Sequence, residues 1–457
     1  MKFFGSRSPH SWSGIRSDDD TSTDGIAQTA YLINSADVGS IRILLVADMR
    51  SPHAVNWARG LLLIGIRPII VSSRYLNSEE RAQLPQTIAD SILHEPRDLV
   101  SRMRVLLTQV PLLLRTARKL ARGSAPGQVG YQQNHPAPRP EGVGHLELPL
   151  ELIIAAVLRR TIRKTVRERR PHLVHALRVP YEGIASYGST LGTRFAISTW
   201  GSDLSRQAPS SPSLARITRR TLRNIDALHT DCERDVLLAR EWGMPAQALT
   251  LVAPGNMGFD GRFFRAPRVG QPAQRTLIVF PRGPASRINY VGFVEAAAQI
   301  ILDHPNVVFV GVRLKGEPAC EQIRNASADP ERIILTDLLS QAELAELYRN
   351  AVAVVSPSAS DGTPNSVLEG MACGAVPIVG DIAPLRDLLM PALAECLIPA
   401  LDTQKMIAAI ERLLALHPSG RERLSDQAQR IASEWSRDVT LKRVQEWYEL
   451  IVDLDRV

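Results

Sequence analysis

Short apolar runs followed by stretches of helical spacing recur, in two series, through most of this 457-residue chain. Each run is long enough for one buried strand of a parallel sheet covered on both faces by helices. Since such strands are joined by right-handed crossovers, each series predicts one doubly wound α/β domain. The first series comprises residues 41–48, 67–73, 172–177, 194–200, 226–230 and 249–255, and the second comprises 276–282, 307–312, 333–337, 351–357 and 376–381.

A segment rich in proline, glycine and glutamine, residues 266–275, separates the two series and predicts a linker. We therefore expect an N-terminal domain over residues 41–265 and a C-terminal domain over residues 276–430. The chain length agrees with two or three domains of about 150 residues each. Residues 1–40, rich in serine, aspartate and glycine, predict a disordered tail.

Positive charge is concentrated in one part of the chain. Residues 91–170 contain 15 lysines and arginines against 6 acidic residues, while the rest of the chain has 39 basic and 41 acidic residues. This region belongs to a basic insert of about 75–170 and includes an amphipathic stretch, 97–122. A solvated helix face and docking onto anionic lipid both remain open interpretations. Nucleic acid is disfavoured, because aromatic residues make up only 5% of the chain and no reader motif is present.

Several common classes of protein lack support in the sequence. No apolar run approaches the roughly 18 residues of a membrane span, and the N-terminus has no apolar core of a secretory signal. The four cysteines are widely spaced, so we expect a reducing, cytoplasmic setting. Motifs of dinucleotide-binding proteins, P-loop ATPases, serine hydrolases and metal sites are also missing, and no metal is expected.

The most informative segment is the loop between the run at 351–357 and a helix that begins near Asn365. Ligands of open α/β sheets bind beyond the carboxyl ends of strands, and a helix N-terminus there attracts phosphate or sugar oxygens. Asp361 in the loop and Glu369 in the helix could accept hydrogen bonds from the vicinal hydroxyls of a sugar and a ribose. Gly362 permits a close approach of the backbone to a ligand.

The wording DGTPNSVLEGMACGAVPIVGD, which begins at Asp361, resembles the acid-x7-acid motif of retaining GT-B glycosyltransferases of family four, the glycosyl transferases of group 1. That family usually has glutamate at both acidic positions, and Asp361 is shorter by about 1.5 Å. The resemblance implies that Asp361 binds a sugar hydroxyl and Glu369 the ribose. The remaining implied donor-binding residues are Gly362, Thr363, Pro364, Asn365 and Ser366.

Two arginines agree with this resemblance. In FPRGPASRINY, Arg282 follows a predicted strand and Arg287 comes five residues later, where the family has arginine and then lysine. The resemblance implies that both clamp the donor diphosphate, which gains negative charge as the glycosidic bond breaks. Arg287 keeps the charge of the family's lysine and adds a planar fork of donors. Arg282, Arg287 and Asp361 are therefore the expected catalytic residues.

The first series resembles the family more loosely. PHLVHALRVP is similar to a strand that ends in His-x-His, with His175 at the first position and Leu177 at the second. His175 is a candidate cleft residue, and a purely structural histidine is an open alternative. STWGSDL is similar to the family's Gly-Ser-Asp turn, which implies that Gly201 and Asp203 lie at the cleft. His53 is a candidate for the acceptor side.

Taken together, the resemblance implies two Rossmann-like domains facing a central cleft, with the helix in residues 431–457 crossing back to the first domain. It implies transfer of a sugar, with retention, from a nucleotide-diphosphate sugar to a glycan or lipid-linked acceptor, without a metal or other cofactor. We expect surface polysaccharide or glycolipid biosynthesis at the inner face of the plasma membrane, contacted through residues 91–170. Two alternatives stay open: a GT-B sugar-nucleotide epimerase, and a non-catalytic sugar-nucleotide-binding subunit, which Asp361 and Leu177 motivate.

Overall fold

The structure is a computed structural model that describes residues 41–94, 144–266 and 276–453. The expected tail at 1–40, the basic stretch at 97–122 and all but the first residue of the expected linker lie outside the described residues.

The first domain contains a seven-stranded parallel sheet in the order β3-β2-β1-β4-β5-β6-β7. The chain starts in the middle of the sheet, winds outward to one edge and then to the other, which places a reversal of direction between β1 and β4. The strands are β1 Ile43–Ala47, β2 Ile69–Ser72, β3 Ile92–His94, β4 Leu173–Leu177, β5 Arg194–Ser198, β6 Ala227–Thr230 and β7 Leu249–Val252.

The second domain repeats this winding with a six-stranded parallel sheet in the order β10-β9-β8-β11-β12-β13. Strands β11 and β12 are buried along their whole length and β8 at all but its first residue, as expected for strands covered by helices on both faces. The strands are β8 Leu277–Phe280, β9 Val308–Gly311, β10 Ile333–Leu335, β11 Ala351–Ser356, β12 Val376–Gly380 and β13 Leu397–Ile398.

Fifteen α-helices connect or follow these strands within the described ranges. They are α1 Pro52–Leu63, α2 Ser78–Ala82, α3 Gln86–Ser91, α4 Gly144–Arg169, α5 Ile184–Ser186, α6 Pro212–Leu222, α7 Glu233–Glu241, α8 Tyr290–Ile300, α9 Pro318–Ala326, α10 Gln341–Arg349, α11 Asn365–Ala372, α12 Ala383–Leu389, α13 Thr403–Ala415, α14 Pro418–Ser433 and α15 Arg437–Asp453. Among these described helices, none is long and apolar enough to cross a membrane.

Three hydrophobic cores stabilise the two domains. One fills the second domain, and the other two lie on opposite faces of the first sheet. The last helix, α15, belongs to the first domain by its packing, because Val444, Trp447 and Tyr448 are buried beside Trp57 of α1. Helix α15 therefore brings the chain from the second domain back to the first.

The two doubly wound sheets confirm the fold class that the strand pattern predicts, and all eleven predicted strands are present. The short edge strands β3 and β13 were not predicted, because two or three residues carry too little pattern. Within the described part of the basic insert, residues Gly144–Arg169 form the long helix α4. Gly374 adopts φ +85°, the left-handed conformation expected after its helix. All four cysteines are buried and free.

Candidate active site

A cavity of about 590 Å³ lies between the two domains, at the carboxyl ends of both sheets. Each residue that lines it follows a strand, as expected for a ligand site of open α/β sheets. The first domain contributes His53, Arg178, Trp200, Gly201, Ser202, Arg206, Asp231 and Gly255. The second domain contributes Pro281, Arg282, Gly283, Pro284, Ala285, Arg287, Ile288, Arg313, Ser360, Asp361, Thr363, Pro364, Asn365 and Ser366.

The three expected catalytic residues lie together on the second-domain wall. Arg282 and Arg287 occupy the loop after β8, and Asp361 occupies the loop after β11. The guanidinium of Arg282 forms a hydrogen-bonded ion pair with the carboxylate of Asp361. The backbone N–H of Ala359 donates to the carbonyl oxygen of Arg287 at 2.8 Å, which fastens the two loops to each other.

The N-terminus of α11 opens into the same cavity. No side chain caps this helix, and its first turn contains no acidic residue. Its first N–H groups therefore lack helical partners and combine with the helix dipole to favour an anion. Four of the predicted donor-binding residues line the cavity here: Thr363, Pro364, Asn365 and Ser366.

Gly362 has no room for a side chain. The group that lies against its backbone is a carboxylate of the protein, and not a ligand as the sequence suggested. A Cβ at this position would lie 2.4 Å from both carboxylate oxygens of Asp231, which belongs to the first domain. A Cβ on Gly201 would in turn lie 3.0 Å from the backbone nitrogen of Gly362. These glycines allow the cleft loops of the two domains to touch.

Asp231 is a cavity residue that sequence reasoning missed. It follows the carboxyl end of β6, and no described group donates a hydrogen bond to its Oδ1. Burial, together with nearby Asp235 and Asp361, raises the pKa of Asp231 to about 7. The available signal was an acidic residue immediately after a predicted strand.

Arg234 links the two domains directly and was also missed. Its Nη1 donates to the carbonyl oxygen of Asp361 at 2.8 Å, and its Nη2 donates to the carbonyl oxygen of Gly201 at 2.7 Å. Asp235 holds the guanidinium through an ion pair of 2.7 Å. Arg234 therefore fixes the backbone of the Asp361 loop against the first domain.

Asp231, Cys232 and Asp235 form an acidic cluster whose potential ligand atoms lie within 4.8 Å of one another. Arg234 already neutralises Asp235, and burial raises the pKa of the Cys232 thiol, which keeps it protonated. A protonated thiol and a paired carboxylate make poor ligands for a cation.

Glu369 lies in α11 behind the cavity wall and is not among the residues that line it. Burial raises the pKa of its carboxyl to about 8, and the charge of Arg437 opposes that rise. Burial raises the pKa of the nearby Tyr348 hydroxyl, the charge of Glu369 adds to that rise, and the charge of Arg282 opposes it.

On the first-domain wall, Gly201 and His53 line the cavity as predicted. The ring of His53 lies 5.1 Å from that of Trp200, and burial and Arg178 both lower the pKa of the imidazole. The cleft placement of Asp203 is wrong, since its side chain is fully buried. Its carboxylate accepts a hydrogen bond of 2.8 Å from Arg178, which does line the cavity.

The cleft placement of His175 is also wrong. The residue is 0% exposed, and both ring nitrogens have protein partners: the Tyr448 hydroxyl at 2.7 Å and the Ser198 hydroxyl at 2.9 Å. The Ser198 hydroxyl is also hydrogen-bonded to His229, so these side chains form a chain of hydrogen bonds. Nε2 of His229 lies 3.0 Å from the carbonyl oxygen of Ala253. The structural alternative for His175 is therefore the correct one.

The direction of this hydrogen-bond chain follows from its end, because the Ala253 carbonyl oxygen only accepts. His229 must carry its proton on Nε2 and accept from Ser198 at Nδ1. His175 then donates from Nε2 to Ser198 and accepts from Tyr448 at Nδ1. Both imidazoles are neutral, as their burial and lowered pKa values require.

Comparisons with known proteins agree with this architecture. The family model of glycosyl transferases group 1 matches residues 276–416, and the model of the glycosyl transferase 4-like domain matches residues 94–255. The two models thus cover a large part of each sheet domain. Among curated proteins, none matches this chain.

Solved structures of low sequence identity share the fold. Sucrose-phosphate synthase from Thermosynechococcus elongatus is 15% identical, with a TM-score of 0.61 over 90% of this chain and 98% of that chain. Trehalose 6-phosphate synthase from Burkholderia multivorans is 11% identical, with a TM-score of 0.63 over 91% and 98%. Anabaena HepE, solved in complex with UDP, is 13% identical, with a TM-score of 0.59 over 89% and 99%. With both sheet domains matched in order and a basic cleft between them, the chain belongs to the group 1 glycosyltransferases of the GT-B fold.

Proposed function

We propose that this glycosyltransferase moves a sugar from a nucleotide-diphosphate sugar to an acceptor hydroxyl, with retention of configuration. The observation that carries the proposal is the grouping of Arg282, Arg287 and the uncapped N-terminus of α11 around one interdomain cavity. All three supply positive charge or N–H donors where the leaving diphosphate accumulates negative charge.

The contact between Arg282 and Asp361 suggests how the donor sits. The carboxylate that would accept a hydrogen bond from a sugar hydroxyl lies beside the guanidinium that would bind the phosphate. Sugar and diphosphate would thus be held next to each other, with Glu369 of α11 toward the ribose. In the reaction, the bond between the anomeric carbon and the diphosphate oxygen breaks, a bond to the acceptor oxygen forms, and the acceptor proton leaves.

Arginines in this arrangement would supply the charge stabilisation that a divalent cation provides in other enzymes. We therefore propose that turnover needs no added metal. The test is the rate of nucleotide release with and without EDTA. Equal rates are expected, and a loss that Mg²⁺ or Mn²⁺ restores would contradict the proposal.

The first experiment is a thermal-shift and calorimetric panel with UDP, GDP, ADP and their common sugar conjugates. A ligand that binds only the folded state raises the melting temperature by mass action. UDP is tested first, because HepE was solved with UDP and with UDP-glucose. If none of these nucleotides binds, the proposal fails. A sugar epimerised without an acceptor indicates the epimerase, and binding without any turnover across an acceptor panel indicates the non-catalytic subunit.

The retention of configuration is tested separately, by following the anomeric proton of donor and product by NMR. An α-linked donor is expected to give an α-linked product. A β-linked product would contradict retention but would not bear on the proposed donor-binding site.

We propose further that the enzyme works on the cytoplasmic face of an anionic membrane, in surface polysaccharide or glycolipid synthesis. Helix α4 supports this, because exposed Arg160, Lys164 and Arg167 share one shallow depression of its surface. Basic residues near anionic lipid each contribute about 1 kcal/mol. Flotation with liposomes that contain phosphatidylserine should retain the protein at low salt, and equal partitioning with neutral liposomes would contradict membrane docking.

A further inference from the structure

Arg313 occupies a backbone conformation that few residues other than glycine adopt. It lies just beyond the carboxyl end of β9, with φ +62°. The left-handed region brings Cβ too close to the following carbonyl oxygen, so a side chain here works against the fold. Such residues persist at ligand sites when the side chain has a use that offsets the strain.

The side chain of Arg313 lies directly over the backbone of the arginine loop. A Cβ at Gly283 would lie 3.3 Å from Cβ and Nε of Arg313 and 3.4 Å from its Cζ. Gly283 immediately follows Arg282, and the loop continues to Arg287. The absence of a side chain at 283 therefore gives Arg313 its place on the same cavity wall as the other two arginines.

The charges on this wall are unbalanced. Arg282 is paired with Asp361, whereas the guanidinium groups of Arg287 and Arg313 have neither an ion pair nor a hydrogen bond within the described parts of the chain. A nucleoside diphosphate carries at least two negative charges. Because Arg282 shares its charge with Asp361, Arg282 and Arg287 would match this charge only partly, and Arg313 supplies a second unpaired cation on the second-domain wall.

We propose that Arg313 is a third arginine that binds the donor pyrophosphate, an inference that rests on the proposed function. A phosphate group lying between the loops after β8 and β9 would contact it together with Arg287. Bidentate arginine–phosphate contacts are among the strong charge-assisted hydrogen bonds of proteins. Arg313 would thereby bind the group whose charge grows as the donor bond breaks.

The test is Arg313→Gly, measured for stability and for nucleotide affinity. Because glycine suits the left-handed backbone, the melting temperature should be unchanged or higher, while the Kd of the diphosphate rises about tenfold or more. The control is Leu191→Gly, since Leu191 has φ +55°, is 50% exposed, precedes the amino end of β5 and does not line the cavity. This control should match the stability change and leave nucleotide affinity unaltered.

The probes are whichever of UDP, GDP and ADP binds the wild type, with its monophosphate and nucleoside. The loss in Arg313→Gly should be largest for the diphosphate, and Arg313→Lys should recover part of the affinity. Equal affinity in wild type and Arg313→Gly would overturn the inference, as would an equal loss for diphosphate and nucleoside. If no nucleotide binds the wild type, the proposed function fails instead.

Discussion

The carboxyl ends of both sheets face the same cavity, but the two domains differ in how their polar residues are paired there. The second domain leaves cations and helix N–H groups facing the cleft, notably Arg287, Arg313 and the start of α11. The first domain offers fewer free cations: Arg178 is neutralised by Asp203, His175 lies inside the core, and Arg206 alone lines the cavity as an arginine without an ion pair among the described residues of that domain. Most of the unpaired positive charge at the cavity therefore lies on the second domain, which is the wall expected to hold the charged part of a ligand.

This difference shows that a polar residue within a strand tends to be buried and bonded to other protein groups, whereas one in the loop after a strand can face a ligand. His175, Ser198 and His229 are within or at the last position of β4, β5 and β6, and they satisfy one another under α15. Arg282 and Asp361 come after β8 and β11, where loops can turn toward a ligand.

Removing Arg282 should have the largest effect. Arg282→Ala deletes one of the cations proposed to bind the diphosphate and leaves Asp361 without its partner, so turnover should fall by about 100-fold or more. The measurement is nucleotide release under saturating donor. Arg324→Ala serves as the control, because it breaks a comparable ion pair on α9, away from the cavity, and should keep wild-type turnover.

If Arg282→Ala retained wild-type turnover, as the control Arg324→Ala should, Arg282 on the second domain would not contribute to the reaction. The contrast between the two walls would then fail.

Tyr448→Phe breaks the hydrogen-bond chain of the first domain at its start. The Tyr448 hydroxyl accepts from Trp57 Nε1 at 2.9 Å and donates to His175, so its removal leaves two buried groups unsatisfied. The free energy of unfolding should fall by about 2 kcal/mol, measured by urea denaturation. Tyr348→Phe is the matched control: its hydroxyl is buried and no described group bonds to it, so its loss should cost little. Equal losses in both variants would remove the claim that the chain stabilises the first domain.

Arg234→Ala tests the contact between the two walls. Losing its hydrogen bonds to the carbonyl oxygens of Asp361 and Gly201 should loosen the Asp361 loop and lower kcat/KM about tenfold. Arg234→Lys keeps one donor group and should recover part of that loss. A wild-type kcat/KM in Arg234→Ala would show that the loop is held by other contacts.

The fold and most of the second-domain wall could be predicted from the sequence, whereas the first-domain wall could be predicted only in part, at His53 and Gly201. Buried parallel strands leave continuous apolar runs, and the donor-loop residues from Asp361 to Ser366 are contiguous, so one motif identifies them. The first-domain wall gathers single residues from separate loops, such as His53, Gly201 and Asp231. Only the tertiary structure shows that Asp231 fills the space left by Gly362, or that His175 has two buried partners.

Glu182→Gln should have almost no effect on stability at pH 5 and a stabilising effect that grows as the pH rises. Glu182 follows β4 in the first domain, is 3% exposed, accepts a hydrogen bond from Ser73 and has no partner for Oε2 among described residues. Burial raises the pKa of its carboxyl from 4.5 to about 8. Between those values the folded protein holds a proton that the unfolded chain has released, so stability falls as pH rises.

Glutamine resembles the neutral acid and does not titrate. The two proteins should therefore be about equally stable at pH 5, and the variant should gain about 3 kcal/mol relative to wild type by pH 8. Urea denaturation at both pH values measures this difference. An identical pH slope in the two proteins would mean that Glu182 is ionised in the folded state. The first domain would then bury an ionised carboxylate near Arg178. The two domains would differ less in their uncompensated charge than the comparison above states.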